Sequence, residues 1–363
     1  MSFQEILNHY RGIINKELKR FFSSLKVLES GNPLIKKHQE LLGNFCLSPG
    51  KRLRPIMAIM AFKGISQKNE KEIIFPALAL ELYHNSTLIH DDIYDEDIIR
   101  RGMPAPHFLF QKWFEKRYKK YFYSGALYSS AAQRFAVVAG FINGQILKAL
   151  ANLPILQSNV SSEKKVEILK LFQRLDISDN IGQAIDLFFE RENKITEKDY
   201  LKMVDCKTGE LFKASIELGA VLAGSAKSQR ECLRKYAENL AAAFQIKDDL
   251  LDISIGGEKG RGVGSDIKKG KKTLLLIYSL KKAEQKEKKA IKKIAGREGM
   301  AEKEIKKVIN LYYRLGAVNY CEKLAGQKIK KALFWLSQIK PEVRADSQKF
   351  FEDLANFMFQ RKK

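Results

Sequence analysis

The stretch FPALALELYHNSTLIHDDIYD, residues 75–95, decides the fold, because an apolar run leads directly into an aspartate pentad. The run is apolar on more than one face of a helix, which predicts a helix buried inside a helical protein. Residues four apart share a helix face, so Asp91 and Asp95 point the same way. Like charges at this spacing repel, and carboxylates at a helix C-terminus oppose the macrodipole. The pentad therefore predicts cations between its carboxylates.

A second pentad of the same pattern, DDLLD at Asp248–Asp252, follows the apolar run LAAAFQIK. Carboxylate clusters suit a hard ion such as Mg²⁺, which keeps several waters and binds phosphate oxygens. A solvated acidic helix end is the alternative for either pentad alone, because short motifs recur by chance. Two pentads after two long apolar runs favour the metal. The predicted ligands are the carboxylates of both pentads: Asp91, Asp92, Asp95, Asp248, Asp249 and Asp252.

Helical periodicity runs through most of the chain, and the breaks are short and rich in Gly, Pro, Ser or Asn. The predicted helices are Met1–Leu28, His38–Phe45, Pro55–Phe62, Glu72–Ile93, Phe135–Ala151, Ser162–Arg191, Glu197–Met203, Leu211–Ala223, Glu231–Asp252, Lys272–Ile294 and a last one from Lys303 almost to the end. Alternating strand patterns are essentially absent. We therefore expect an all-α protein, a single-domain helical bundle over residues 1–363 that packs around a central cavity.

One segment, residues 108–134, is unusually rich in aromatic residues, lysine and arginine. It predicts an insertion that serves as a lid or touches a membrane transiently. The alternative is an additional packed helix that turns its lysines to solvent.

The net charge of +23 raises the possibility of a nucleic-acid partner. Much of the excess is lysine interleaved with glutamate, as in residues 280–298, which is typical of a solvated helix face. Recognisable nucleic-acid modules are absent, and acidic pentads repel a phosphate backbone. We therefore expect no nucleic acid but small, highly anionic substrates or an anionic lipid surface.

Cysteine usage and the N-terminus indicate the compartment. The four cysteines lack CxxC spacing, which favours free thiols in a reducing environment. The N-terminus lacks a signal-peptide core, and no uncharged stretch reaches the eighteen or so residues that span a bilayer. We expect a cytoplasmic protein.

Basic loops accompany the pentads. PGKRLRP, residues 49–55, places Lys51, Arg52 and Arg54 beside a glycine, a pattern suited to phosphate or to an ordinary basic turn. Arg100 and Arg101 follow the first pentad, so two guanidiniums are expected near its metals. DIKKGKKT follows the second pentad at residues 266–273. Metal and cations together predict a polyanionic ligand.

Six motifs in this order and spacing resemble the trans-isoprenyl diphosphate synthases, or polyprenyl synthetases. They are GKRLRP, HxxxxxxDDxxDxxxxRRG, GQxxDL, KTGxLF, FQxxDDxLD and DIxxGKxT, between Gly50 and Thr273. The match covers roughly Leu42 to the C-terminus. The resemblance implies a Mg²⁺-dependent enzyme, expected as a homodimer, that joins isopentenyl diphosphate to an allylic diphosphate by ionisation, condensation and elimination.

The same resemblance implies roles for individual residues. It implies two Mg²⁺ on Asp91 and Asp95, and a third on Asp248 with Asp249 and Asp252 nearby. The implied ligands of the allylic diphosphate are Arg100, Lys207 and Lys271. The implied contacts of the allylic cation are Thr208 and Gln245, which with Lys207 and Arg100 form the expected catalytic set. The implied ligands of isopentenyl diphosphate are Gly50, Lys51, Arg54, His84 and Arg101.

The chain departs from the family pattern at two single positions. Many relatives carry a lysine four residues before the aspartate of DIxxGK, where this chain has Gly262 with Arg261 adjacent. Arg261 is the expected substitute. Phe141 stands where an aspartate is usual in AxxAGD, and the sequence offers no account of it.

Product length is expected to depend on the helix before the first pentad, since one helical turn of about 5.4 Å is close to one isoprene unit. The resemblance implies that Thr87, Ser86, Tyr83 and Leu80 face the product channel in turn. Thr87 and Ser86 are small, and Tyr83 is the first bulky residue. We expect C20 geranylgeranyl diphosphate, with C25 or C15 as alternatives.

Three other functions are considered. A non-catalytic partner subunit is disfavoured because all the aspartates and the KTG and GKR motifs are present. A class I terpene cyclase also uses DDxxD with Mg²⁺ but would not need GKRLRP and the second arginine. A basic nucleic-acid-binding protein has the least support.

Overall fold

The computed structural model describes residues 1–25, 31–100, 102–118, 122–254, 263–297 and 299–360. The regular elements within these ranges are α-helices, one π-helical turn and one short antiparallel ribbon, so the all-α prediction is confirmed. In chain order the elements are α1 (Phe3–Ser23), α2 (Pro33–Leu47), α3 (Leu53–Ile65), α4 (Lys71–Tyr94), β1 (Ile99–Arg100), β2 (Met103–Pro104), α5 (Pro106–Arg117), α6 (Ala131–Leu150), α7 (Leu153–Leu156), α8 (Ser162–Arg191), α9 (Glu197–Val204), the π-turn (Asp205–Gly209), α10 (Glu210–Ala223), α11 (Lys227–Asp252), α12 (Ser265–Lys269), α13 (Leu274–Lys282), α14 (Gln285–Ile294), α15 (Glu302–Arg314), α16 (Ala317–Ser337) and α17 (Ala345–Gln360).

The chain forms two compact units. Unit 1 comprises residues 1–59 and 68–169. Its central element is α4, which packs against α1, α2, α5, α6 and α7. Buried residues of α4 run from Ile73 to Asp92 on all faces, as its apolar sequence predicts. The first pentad is therefore carried by the central, largely buried helix of this unit.

Unit 2 comprises residues 60–67 and 170–363. Its central element is α11, which packs against α9, α10, α13, α16, α17 and the π-turn. Buried apolar side chains of α11, such as Ile246 and Leu250, join those of α13, α15 and α16 in one core. The second pentad closes α11, so each unit ends its central helix in DDxxD. The single domain over residues 1–363 and the central cavity stay predictions.

Local sequence explains where the helices begin. Ser2 and Glu5 form a capping box at the start of α1, and Thr196 and Asp199 form another at α9. Asn32 caps α2 ahead of a proline at the first helical position.

Two long predicted helices are wrong because each contains a break. The predicted helix Lys272–Ile294 is two helices, since α13 ends at Lys282 and α14 begins after Glu284. The C-terminal run is three helices, α15, α16 and α17. Gly316 adopts φ +76° between the first two, a left-handed conformation that suits glycine and ends a helix. The N-terminal helix also ends earlier than predicted, at Ser23.

Part of the aromatic and basic segment is a helix that the periodicity did not predict, α5. Its Phe110 is buried, and the rings of Trp113 and Phe114 lie 5.7 and 4.9 Å from the ring of Phe135 on α6. Lys112 and Arg117 are exposed. Residues 119–121 lie outside the described residues. A transient membrane contact by this segment stays a prediction.

Within the described ranges, one helical stretch, Ala131–Leu156, is long and apolar enough by composition to cross a membrane. Of its most apolar eighteen-residue window, 44% is buried, and the core helix of a protein outside membranes meets the same criteria of length and composition. All four cysteines lie in described ranges and are free thiols, as the spacing predicts.

Candidate active site

The first pentad spans the C-terminus of α4. The Asp95 amide donates to the Asp91 carbonyl over 2.8 Å, which closes the last turn and keeps the two residues one turn apart. Both side chains are half-buried, whereas Asp92 between them is fully buried. The pentad thus offers two carboxylates at the surface of unit 1 and holds one inside.

The buried carboxylate of this pentad faces a cation. Nε of Arg100, on β1, donates to Oδ1 of Asp92 over 2.6 Å, and its Nη2 lies 4.0 Å from Oδ2 of Asp97. Burial opposes the charge of Arg100, but Asp92, Asp91 and Asp97 outweigh it and raise the pKa of the guanidinium. Arg100 is thus fixed beside the pentad as a permanent cation. Arg101, a predicted ligand, lies outside the described residues.

The side chains of the basic loop before α3 differ in their exposure. Lys51 is exposed, and Gly50 and Arg54 are half-buried. Arg52 is buried and does not belong to the basic surface that the sequence predicted.

His84 and the chain-length residues lie one to two turns before the first pentad on α4. His84 is half-buried, and its carbonyl accepts a hydrogen bond from Oγ1 of Thr87 over 2.9 Å. Ser86 and Tyr83 are buried, and Oγ of Ser86 donates to the Tyr83 carbonyl over 2.6 Å. Nζ of Lys148, on α6, lies 5.7 Å from the centre of the Tyr83 ring. The hydroxyls of Ser86 and Thr87 are therefore turned back onto the helix, which leaves small, less polar surfaces.

The residue at the unusual position 141 lies where α6 approaches α4 closely. A Cβ on Gly144 would lie 2.2 Å from Nε2 of His90 on α4. The Phe141 ring lies 4.9 Å from the ring of His90, and the Phe141 carbonyl is 3.2 Å from His90 Nε2. Phe141 therefore contacts the residue that directly precedes the first pentad.

The second pentad spans the C-terminus of α11. Asp248 is half-buried, while Asp249 and Asp252 are buried. Oδ2 of Asp252 accepts from the amide of Asp266 over 3.1 Å, which ties the pentad to the start of α12. One carboxylate, that of Asp248, thus remains at the surface of unit 2.

A chain of hydrogen bonds surrounds Asp249. The Tyr200 hydroxyl donates to Oδ2 of Asp249 over 2.7 Å, and Nε2 of Gln245 donates to Oδ1 over 2.9 Å. Oγ1 of Thr208 donates to Oε1 of Gln245 over 3.1 Å. Burial, with the nearby charges of Asp266 and Asp248, raises the pKa of Asp249 to about 8. These hydrogen bonds fix the side chains of Gln245 and Thr208, both predicted to face the allylic cation.

Two predicted diphosphate ligands meet on one carboxylate. Nζ of Lys207 lies 2.7 Å and Nζ of Lys271 lies 3.4 Å from Oδ2 of Asp186 on α8. Lys207 belongs to the π-turn, an irregularity that often marks a functional site. A Cβ on Gly182 would lie 2.5 Å from the Lys207 backbone nitrogen, so only glycine lets α8 approach this turn.

The donor set fits a hard divalent cation. Within the described ranges, no group of three or more His, Cys, Asp or Glu side chains is placed to hold a metal ion by itself. Mg²⁺ typically takes one or two carboxylates and completes its shell with waters and substrate phosphates. The half-buried carboxylates of Asp91, Asp95 and Asp248 match that need.

The sequence reasoning gave no role to two residues of this site, Asp186 and Tyr200. Asp186 stands in the motif GQxxDL, together with Gly182, and that motif is the signal that could have indicated its role. Tyr200 lies seven residues before Lys207, and nothing in the sequence marks it. Arg261 and Gly262, the other departure from the family pattern, lie outside the described residues.

Comparisons with known proteins agree with this geometry. Residues 35–312 match the family model of the polyprenyl synthetases. A short chain isoprenyl diphosphate synthase of Methanocaldococcus jannaschii is 34% identical over 301 residues, or 82% of this chain and 80% of that protein. The crystal structure of a geranylgeranyl pyrophosphate synthetase from Pyrococcus horikoshii Ot3 gives a TM-score of 0.82 at 27% identity, over 99% of this chain and 100% of that one.

A polyprenyl synthase from Caulobacter crescentus CB15, solved with calcium and isoprenyl diphosphate, gives a TM-score of 0.79 at 26% identity, over 100% of this chain and 98% of that one. The residues matched by the family model include both pentads and the basic loops around them. The chain therefore belongs to the polyprenyl synthetase family.

Proposed function

We propose that the chain is a trans-prenyltransferase, dependent on a divalent metal ion, that condenses isopentenyl diphosphate with an allylic diphosphate to a short-chain all-trans prenyl diphosphate. One observation carries the proposal: each unit closes its central helix with DDxxD and also holds cations fixed on a carboxylate. These are Arg100 in unit 1 and Lys207 with Lys271 in unit 2. Fixed positive charge beside carboxylates is what binding and ionising a diphosphate ester requires.

The residues of unit 1 would hold both substrates. Asp91 and Asp95 would take two Mg²⁺ on the allylic diphosphate, with Arg100 beside them. Gly50, Lys51, Arg54, His84 and Arg101 would bind isopentenyl diphosphate. When bound, the metal acts as a Lewis acid that stabilises the leaving diphosphate.

The residues of unit 2 would promote ionisation and hold the cation. Asp248 would take a third Mg²⁺, and the ammonium groups of Lys207 and Lys271 would stabilise negative charge on the diphosphate as the C–O bond breaks. Thr208 and Gln245 would place their oxygen atoms toward the allylic cation. The departing diphosphate would accept the final proton, so no side-chain base is needed.

The product proposed is C20 geranylgeranyl diphosphate. The solved Pyrococcus relative is named for that product, and buried Tyr83 is the first bulky side chain before the pentad along α4. Tyr83→Ala should lengthen the products, read by chromatography of the hydrolysed prenols. Unchanged lengths would show that Tyr83 is not the floor of the channel.

The assembly proposed is a homodimer. In unit 2, α8 exposes Ile177, Ile181 and Phe188 by 62, 50 and 63%, an apolar stripe at helical spacing. Such a stripe suits a second copy of the same helix, since a twofold axis brings like surfaces together. Analytical ultracentrifugation should give a dimer, and Ile181→Asp should shift it toward monomer. A monomeric wild-type chain would contradict the assembly.

The function is tested by incubating the purified protein with Mg²⁺, isopentenyl diphosphate and a C5, C10 or C15 allylic diphosphate. Chain elongation that stops when the metal is chelated is expected. A cyclic hydrocarbon formed without isopentenyl diphosphate would indicate a terpene cyclase. No turnover with any primer would favour the non-catalytic subunit.

A further inference from the structure

Arg52 stands in the middle of the loop GKRLRP but behaves unlike its neighbours. Its backbone adopts φ +54°, in the left-handed region that residues other than glycine rarely enter. Its side chain is 1% exposed, whereas Lys51 is exposed and Arg54 half-buried. A strained backbone persists only where the surroundings determine it, so the contacts of Arg52 must hold it in this conformation.

The guanidinium of Arg52 joins three helices of unit 1. Nε donates to Oδ1 of Asn15 on α1 over 2.9 Å, and Nη2 donates over 2.7 Å to the carbonyl of Ser48, which ends α2. Nη1 donates to Oε1 of Glu81 on α4 over 2.6 Å. All three guanidinium nitrogens are thus engaged, and the side chain is too enclosed to reach a ligand itself.

The acceptor on α4 is itself held in place. Nδ2 of Asn85 donates to Oε1 of Glu81 over 3.2 Å, and the Glu81 side chain is 3% exposed. Glu81 lies ten residues before Asp91 on the same helix, which is about 15 Å along its axis. The Arg52–Glu81 ion pair therefore connects the basic loop to the helix that carries the first pentad.

We propose that Arg52 is a positioning residue for isopentenyl diphosphate. By tying the loop to α1, α2 and α4, it holds Gly50, Lys51 and Arg54 in the conformation that grips the diphosphate and at a fixed distance from the first pentad. This inference rests on the proposed function and adds to it a residue that does not touch substrate.

The test is the affinity for isopentenyl diphosphate alone, measured by titration calorimetry, beside the KM for the allylic diphosphate. Arg52→Lys keeps the charge but cannot make the three directed bonds. Arg52→Met with Glu81→Met removes both charges and leaves neither buried alone. In both variants the Kd for isopentenyl diphosphate should rise about 10- to 100-fold, as for one lost charge-assisted contact, with an unchanged allylic KM.

Two further variants calibrate the result. Asn15→Ala removes only one of the three bonds and should raise the same Kd by a smaller factor. Glu72→Gln is the control on α4, the helix of Glu81. It breaks an ion pair with Lys68 that is more than half exposed and 3.7 Å long, and it should leave the Kd for isopentenyl diphosphate unchanged.

Folded Arg52 variants with wild-type affinity for isopentenyl diphosphate would overturn the inference. An equal loss of affinity for both diphosphates would also overturn it, because a general loss of structure has that effect. If the wild-type chain makes no prenyl diphosphate, the proposed function fails and the inference falls with it. If the wild-type chain makes the product and the variants keep their affinity, the inference alone fails.

Discussion

The two pentads share the pattern DDxxD, yet their buried second carboxylates are accommodated in opposite ways. Asp92 faces the guanidinium of Arg100 and forms a charged pair. Asp249 accepts hydrogen bonds from two neutral donors, Tyr200 and Gln245, and burial with the charge of Asp266 outweighs these bonds and raises its pKa to about 8. One pentad therefore keeps a buried charge by pairing it, while the other keeps a proton. The pattern fixes where carboxylates lie on the helix, and residues from other elements fix their charge.

The largest effect is expected where the pentads are alike. Asp91→Ala or Asp248→Ala removes a half-buried first carboxylate, and turnover should fall by about 100- to 1000-fold or more, the scale of losing one group that stabilises developing charge. Thermal stability of the metal-free protein should stay unchanged or rise slightly, because a repulsive carboxylate is removed. Turnover near the wild-type rate in either variant would show that its pentad is not a metal site.

A stability difference is expected where the pentads differ. Asp92→Asn leaves Arg100 buried without its counter-charge and should lower the free energy of unfolding by about 3 kcal/mol. Asp249→Asn replaces a group that must take up a proton on folding at pH 7 by a neutral one of the same shape, and should leave the free energy of unfolding unchanged or raise it. Urea denaturation at pH 7 in chelator measures both. Equal losses would mean that the two carboxylates share one protonation state.

The pH dependence of stability should separate the pentads further. The pKa of Asp249 is about 8 in the folded chain against an ordinary 3.8, so folding takes up a proton between these values. Its contribution to stability is fully present below about pH 4 and is lost as the pH rises through about 8. The wild-type chain, compared with Asp249→Asn, should therefore lose unfolding free energy over this window. A difference that is constant with pH would contradict the assignment.

The smallest effect concerns a single hydroxyl. Tyr200→Phe removes one hydrogen bond to Asp249 and should lower the free energy of unfolding by about 1 kcal/mol. Because Asp249 orients Gln245, kcat should also fall a few-fold, while the KM for isopentenyl diphosphate stays unchanged. Tyr313→Phe, at an exposed tyrosine of the same unit, is the matched control. If Tyr200→Phe lowers the free energy of unfolding and leaves kcat unchanged, Tyr200 does not position the site.

Much of this arrangement can be predicted from the sequence, because it depends on periodicity and local chemistry. The bounds of Ser162–Arg191 match the prediction, and both pentads lie at helix ends as their apolar runs indicate. The free cysteines also follow from their spacing.

The remainder depends on contacts between distant residues. The sequence places Arg52 with Lys51 and Arg54, and only the packing of Asn15 and Glu81 turns it inward. The raised pKa of Asp249 depends first on its burial and then on the charge of Asp266, a residue of another helix. The break between α15 and α16 is different, because its signal is local. Gly316 stands in the sequence, but the periodicity on either side of it predicts one continuous helix.

Gly182 restricts which helices could replace α8 beside the π-turn. A methyl group there would meet main-chain atoms of Lys207, 2.5 Å from its nitrogen and 2.7 Å from its Cα, and main-chain atoms cannot rotate away. Any larger side chain would have to push α8 outward, and Asp186, one turn further along α8, would move with it. Grafting α8 from a relative without this glycine would therefore carry the ammonium of Lys207 off its carboxylate, even if every charged residue were preserved.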